Sequence, residues 1–337
     1  METKHRLSIL KIGSLISFLI ALLTFPSQLP GESAKEIHVT IALGFIPNVQ
    51  FSPYYVAIKK GYYAEAGINV KLEYAINTTV IQLVGSEKAE FGMADGESII
   101  LARAQELPVV SIMTIYQKFP IALFSLKEKG FDSLEKLKGK KIGIPGFFGS
   151  SYIGLRALIQ AKGMEERDFK LEAIGFTQVA ALSQGRVDAA IGYLANEPVV
   201  LREQGFQVDV LPVFQESHLI GAGLITHEKL ISTHSDLVKR VVQATLRGLH
   251  HTMTSPDDAF EVALEFVPEA GKEQNRSTQK AVLREAIKLW QSPLTDQEGS
   301  GYSDPQAWSE TEKILLTMKL ISQKIDLSKA FTNQFLK

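Results

Sequence analysis

The stretch KKIGIPGFFGSSYIG, Lys140 to Gly154, reads as a short buried strand, a glycine-rich turn and the start of a helix. Apolar residues run to Ile144, and Pro145 and Gly146 then stop the strand. Gly149 permits a positive φ, and Ser150 or Ser151 is placed to cap a helix beginning near Tyr152. Such a helix start offers free backbone N–H groups, two hydroxyls and the rings of Phe147 and Phe148, which suit a small polar or planar ligand. The same residues also suit an ordinary turn with phenylalanines packed beneath it. The spacing is not a phosphate loop, because G-x-x-x-x-G-K-[ST] requires a lysine that this turn lacks.

Outward from this turn, apolar strand-like runs alternate with helical patterns. On its N-terminal side lie Ile37 to Leu43, Ile68 to Tyr74, Phe91 to Met93, Val109 to Ile115 and Ile121 to Leu126. On its C-terminal side lie Leu171 to Ile174, Ala189 to Tyr193, Val208 to Leu211 and Leu219 to Thr226. The alternation predicts α/β architecture with mostly parallel sheets covered by helices on both faces. Beyond Thr226 the pattern is almost wholly helical, with helices over Leu237 to Met253, Asp257 to Phe266, Thr278 to Trp290 and Gln306 to Leu320. A helical tail cannot bury its own apolar face and must pack back on a sheet. Assigning it to the first unit gives a first lobe over 35–126, an inserted second lobe over 127–218, and a return strand with C-terminal helices over 219–337. Two lobes joined by two connections open and close about a hinge.

Among the 337 residues, 45% are hydrophobic, which is enough for a full core. Basic and acidic residues are balanced, 36 against 37, so no broad surface for nucleic acid is expected. There is no cysteine, which excludes disulfides, thiolate metal sites, a cysteine nucleophile and a lipid-modified cysteine. Residues 1–34 read as a cleaved secretory signal peptide: Lys4, Arg6 and Lys11 precede an apolar run from Ile12 to Phe25, followed by a polar segment rich in small residues. That run, about 14 residues, is short for a membrane span, which needs roughly 20. An exported chain without a lipid anchor is expected in a periplasm.

In open α/β sheets ligands meet the carboxyl ends of strands, so the loops there supply the candidate site. Phe45, Asn48 and Phe51 follow the first strand, and Asp95 and Glu97 follow the third. Tyr116 and Phe119 follow the fourth; Phe147, Phe148, Ser150 and Ser151 form the organising turn; Tyr193, Asn196 and Glu197 end the strand near residue 191. Planar rings among a few hydrogen-bonding groups suit a flat heteroaromatic ligand. Plainer roles are available to the same residues. Asp95 can be a helix cap, Tyr54 and Tyr55 can be core, and Asn196 with Glu197 before Pro198 can simply start a helix. No H-E-x-x-H, G-x-S-x-G or paired-carboxylate motif occurs, so neither a catalytic centre, a metal site nor a cofactor is expected.

GFIPNVQFSPYYVAIKKGYYAEAGINVKL, FGMADGESIILARAQELPVV, IGIPGFFGSSYIGLRAL and YLANEPVVLREQG together resemble the substrate-binding proteins of ABC importers in the SsuA/THI5-like (NMT1) family. The resemblance implies a type II, Venus-flytrap periplasmic binding protein, monomeric, that delivers a solute to a membrane permease driven by an ATPase. It points first to the riboflavin-binding branch and second to the branch that binds thiamine-precursor aminopyrimidines. In the first case Asp95, Glu97, Asn48 and Asn196 would meet the ring edge or ribityl hydroxyls; in the second, Glu97 or Glu197 would accept from an exocyclic amine. The fold also hosts pyrimidine synthases, whose cysteine-rich motif this chain lacks. A sensory domain presenting its solute to a receptor is the remaining alternative.

Overall fold

The computed structural model describes residues 36–337, so the expected signal peptide lies outside the described residues. Ten strands form two five-stranded sheets. The first contains β1 (Ile37–Leu43), β2 (Ile68–Tyr74), β3 (Phe91–Ala94), β4 (Val109–Thr114) and β10 (Gly223–His227), in the order β2-β1-β3-β10-β4. The second contains β5 (Ile121–Leu126), β6 (Lys141–Ile144), β7 (Lys170–Ala173), β8 (Ala189–Tyr193) and β9 (Val208–Pro212), in the order β7-β6-β8-β5-β9. Strands β3, β4 and β5 are buried along their whole length, which is why they read as unbroken apolar runs.

The sheets are less parallel than the alternation predicts. β1 runs parallel to β2 and β3, and β6 parallel to β7 and β8, but β10 is antiparallel to β3 and β4, and β5 is antiparallel to β8 and β9. The reason lies in the crossovers between lobes. β5, expected to end the first lobe, instead enters the second sheet with Ile121 opposite Tyr193, the last residue of β8, and β10 enters the first with Gly223 opposite Ala94 and Thr114, the last residues of β3 and β4. Both connections arrive at the carboxyl ends of the parallel strands, so each entering strand can only run back the other way.

The helical tail supplies much of the first lobe's core. Leu237, Val238, Val241, Val242 and Leu249 of the helix Ser235–Thr254 are buried in one apolar cluster with Tyr54, Tyr55 and Val56 of the helix Ser52–Lys59. Gly248 is the point of closest approach, where an added Cβ would run into the Pro53 carbonyl oxygen. The expected helices near 257, 278 and 306 are found as Pro256–Ala263, Glu273–Leu289 and Pro305–Thr317. An additional short helix, Pro293–Glu298, carries a capping box between Ser292 and Thr295. The last tail helix also reaches the second lobe: Ile314 and Met318 pack in its cluster, and Arg156 donates to the Met318 carbonyl at 3.2 Å. Finally, the C-terminal segment bonds to Ser111 through Ala330 and Thr332, which covers the outer edge of β4.

Candidate functional site

The carboxyl ends of the two sheets face one cleft with a cavity volume of about 250 Å³. Eleven of the fourteen residues expected there line it: Phe45, Asn48, Phe51, Asp95, Tyr116, Phe148, Ser150, Ser151, Tyr193, Asn196 and Glu197. Each is set by local chemistry. The Asn48 side chain caps the turn Val49–Phe51 by accepting from the Gln50 N–H at 2.9 Å, and Gln50 accepts from the Tyr116 hydroxyl at 2.7 Å. Tyr116 stands edge-on to the buried Trp290, with centroids 6.1 Å apart. These contacts hold the first-lobe wall without any ligand contact. Across the cleft, Gly149 takes φ +69°, which lets the helix Gly149–Ala161 start directly above the turn.

That helix starts earlier than the serine pattern predicts, and Ser150 does not cap it: the capping position is Phe148, with no side-chain bond to the backbone. Ser150 Oγ instead crosses to the first lobe. It lies 2.7 Å from Glu97 Oε1 and within hydrogen-bond distance of Asp95 Oδ2. Asp95 also accepts from Asn77 Nδ2 at 3.0 Å and from the Tyr193 hydroxyl at 3.4 Å. A serine has one proton and two carboxyl oxygens face it, so one carboxyl must bring a proton of its own. Burial, reinforced by the charge of Asp95, pushes Glu97 up to about 8. Burial also raises Asp95. Neutral Glu97 therefore donates to Ser150 Oγ, and Ser150 donates to Asp95. The relay joins the two lobes beneath the cleft floor. Glu97 Oε2 is left without a partner among the described residues, which suits the carbonyl oxygen of a protonated acid better than an ion.

Three expectations are corrected. Glu97 is fully buried below Ser150 and does not reach the cleft. Phe119, 1% exposed, packs with Ile121, Ile144 and Leu155 in the second-lobe core. Phe147 is 56% exposed but turns toward Tyr152, with ring centroids 5.5 Å apart, leaving Phe148 as the ring that lines the cleft. Neither phenylalanine is core; adjacent residues of an extended turn point to opposite sides. Asp95 precedes the helix Gly96–Ala104 but makes no side-chain cap, because its oxygens serve the relay. Glu197, at the first position of the helix Glu197–Glu203, accepts from the Tyr193 N–H at 2.8 Å, and burial pushes it up to about 7.

Asn77, Phe176 and Gln178 also line the cleft and were not expected. They follow β2 and β7, the edge strands, so the rule that pointed to the other loops applies to them equally. Phe176 of the second lobe meets Phe45 of the first in an edge-to-face contact at 5.6 Å across the cleft.

Residues 48–259 match the family described as NMT1/THI5 like. Over 98% of both chains the sequence is 42% identical to the riboflavin-binding protein RibY of Chloroflexus aurantiacus. It is 28% identical to a formylaminopyrimidine-binding protein of Halalkalibacterium halodurans, over 96% of this chain and 99% of that one. The fold is similar to the crystal structure of the periplasmic aliphatic sulphonate binding protein SsuA from Escherichia coli, with a TM-score of 0.70 at 12% identity, covering 89% of this chain and 99% of that one.

Proposed function

The chain belongs to the NMT1/THI5-like family, and from that membership we infer that it is a non-catalytic solute-binding component of an importer, with riboflavin as its ligand. It works in the periplasm after export, as a monomer, and hands its solute to a membrane permease coupled to an ATPase. The observation that carries this reading is the cleft itself. Its walls are aromatic rings from both lobes, Phe45, Phe51 and Tyr116 on one side and Phe148, Phe176 and Tyr193 on the other, with amides and carboxyls between them. Rings on both faces suit a flat fused-ring solute, and the polar groups fix its edge. The closely similar full-length relative is named for binding riboflavin, which agrees with that chemistry. Closure selects the ligand-bound population, because the ligand contacts both walls only when the lobes are together.

An aminopyrimidine is the second reading, favoured by the cleft-lining carboxyls of the buried Asp95 and the half-buried Glu197, which can accept from an exocyclic amine. A fluorescence titration of riboflavin with the purified full-length chain tests the first reading, alongside thermal shifts with an aminopyrimidine, thiamine and a sulfonate. Saturable quenching of the flavin with stabilisation of the protein is expected. A flat flavin titration with a melting shift from the aminopyrimidine would replace the first reading by the second.

A further inference from the structure

The ring-lined cleft offers its ligand acceptors and neutral amides but, among the described residues lining it, no lysine, arginine or histidine. Two of the lining residues, Asp95 and Glu197, are carboxyls. Ionised phosphate, in contrast, is recognised by guanidinium or ammonium groups or by the bare N–H groups of a helix start. The helix that begins at Gly149 could have supplied such a start. Its first-turn Ser150 is already bonded to Asp95 and Glu97, so its hydroxyl is committed and an anion brought there would lie against the Asp95 carboxylate. At the mouth the walls are apolar: Ile76, Phe148 and Phe176 are all more than half exposed and all line the cleft. A phosphate carried on the ligand thus finds carboxyls at the floor and hydrocarbon at the rim, and loses water at either end without gaining a counter-charge.

We propose that the cleft selects the dephosphorylated form of its planar ligand and refuses the phosphomonoester, with Asp95 and Glu197 as the specificity-determining residues. The proposal rests on the reading of the cleft as a vitamin-type site. It also places the protein in a reaction sequence. Where the ligand's source is phosphorylated, a phosphomonoester hydrolysis must come first, in which water cleaves the P–O bond and leaves the free hydroxyl and inorganic phosphate.

The test titrates the purified full-length chain with riboflavin and with riboflavin 5′-phosphate near pH 8, above the value of about 7 to which burial pushes Glu197, following flavin fluorescence. A parallel thermal-shift series uses 4-amino-5-hydroxymethyl-2-methylpyrimidine and its phosphate. Riboflavin is expected to bind at least about 100-fold more tightly than its phosphate, since like charge in a desolvated site is strongly disfavoured. In Asp95→Asn and, separately, Glu197→Gln, the ratio of the two dissociation constants should fall by about tenfold relative to the parent. The ratio is informative because a general loosening of the cleft weakens both ligands together and leaves it unmoved. A phosphate form that binds the parent within about threefold of the free form overturns the proposal, as does a ratio unchanged in both variants. If neither flavin binds but the pyrimidine does, the riboflavin reading falls, and preference for the unphosphorylated pyrimidine still upholds charge selection. If none of the four ligands binds, both fall.

Discussion

Replacing Glu97 by glutamine should stabilise the protein at neutral and alkaline pH and change little in acid. In the folded chain Glu97 is held protonated up to about 8, against an ordinary value of 4.5, because burial and then the Asp95 charge disfavour its anion. Below pH 4.5 both folded and unfolded chains carry the proton, and the interaction with Ser150 is present at full strength. Between 4.5 and about 8 the unfolded chain releases the proton while the folded chain retains it, so stability is lost as pH rises through this window. The loss accrues at about 1.4 kcal/mol per pH unit, which makes the parent's penalty on the order of 4 kcal/mol near pH 7.5. Glutamine has the same shape, carries no titrating proton and can still donate an N–H to Ser150 Oγ. Urea unfolding of parent and variant, with m-values compared to confirm that the same surface unfolds, gives the difference directly. The variant should be within about 1 kcal/mol of the parent near pH 5 and about 2–4 kcal/mol more stable near pH 7.5. Glu197 titrates in both proteins and largely cancels in the comparison. A difference that stays constant across this range would mean that Glu97 ionises normally, and the relay as described would be wrong.

Phe148→Ala should weaken binding of the cognate planar ligand by about 1 kcal/mol or more, roughly five- to tenfold in the dissociation constant, whereas Phe147→Ala should change it by less than about twofold. Equal losses from both, measured by the same titration, would contradict the placement of Phe148 as the ring facing the cleft. Gly248→Val should lower stability by about 2–4 kcal/mol, because the added side chain meets the Pro53 backbone across a close helix contact. An unchanged urea midpoint would show that the helices Ser52–Lys59 and Ser235–Thr254 can separate there at little cost.

Much of the lobe architecture and cleft was legible because both depend on short-range patterns. Fully buried strands announce themselves as β-branched runs, and the rule that ligands meet strand ends identified five of the loops facing the cleft. Phe176 and Asn77 escaped because their strands, β7 and β2, have burial patterns too mixed to look central, although their loops face the same cleft. What a local pattern could not supply was direction. Ser150 sits where a cap would sit, and only its juxtaposition with the helix Gly96–Ala104, which belongs to the other lobe, turns its hydroxyl into a bridge between two carboxyls. Glu97 and Phe119 failed for a related reason. Glu97 lies inside the helix Gly96–Ala104 and Phe119 lies two residues before β5, and those elements carry them under the surface.

Sequence distance also explains why the cleft floor has its particular chemistry. Asp95 and Glu97 are two residues apart at a helix start, close enough that ionising both in a buried setting is costly. The second lobe answers this with a single hydroxyl, which can link the pair only while one carboxyl is neutral. Ser150 supplies that hydroxyl from the start of the helix Gly149–Ala161, and burial with the nearby Asp95 charge keeps Glu97 protonated beside it. Of the two, only Asp95 also lines the cleft, so its carboxyl both joins the lobes through Ser150 and sets the chemistry of the floor that a ligand has to tolerate.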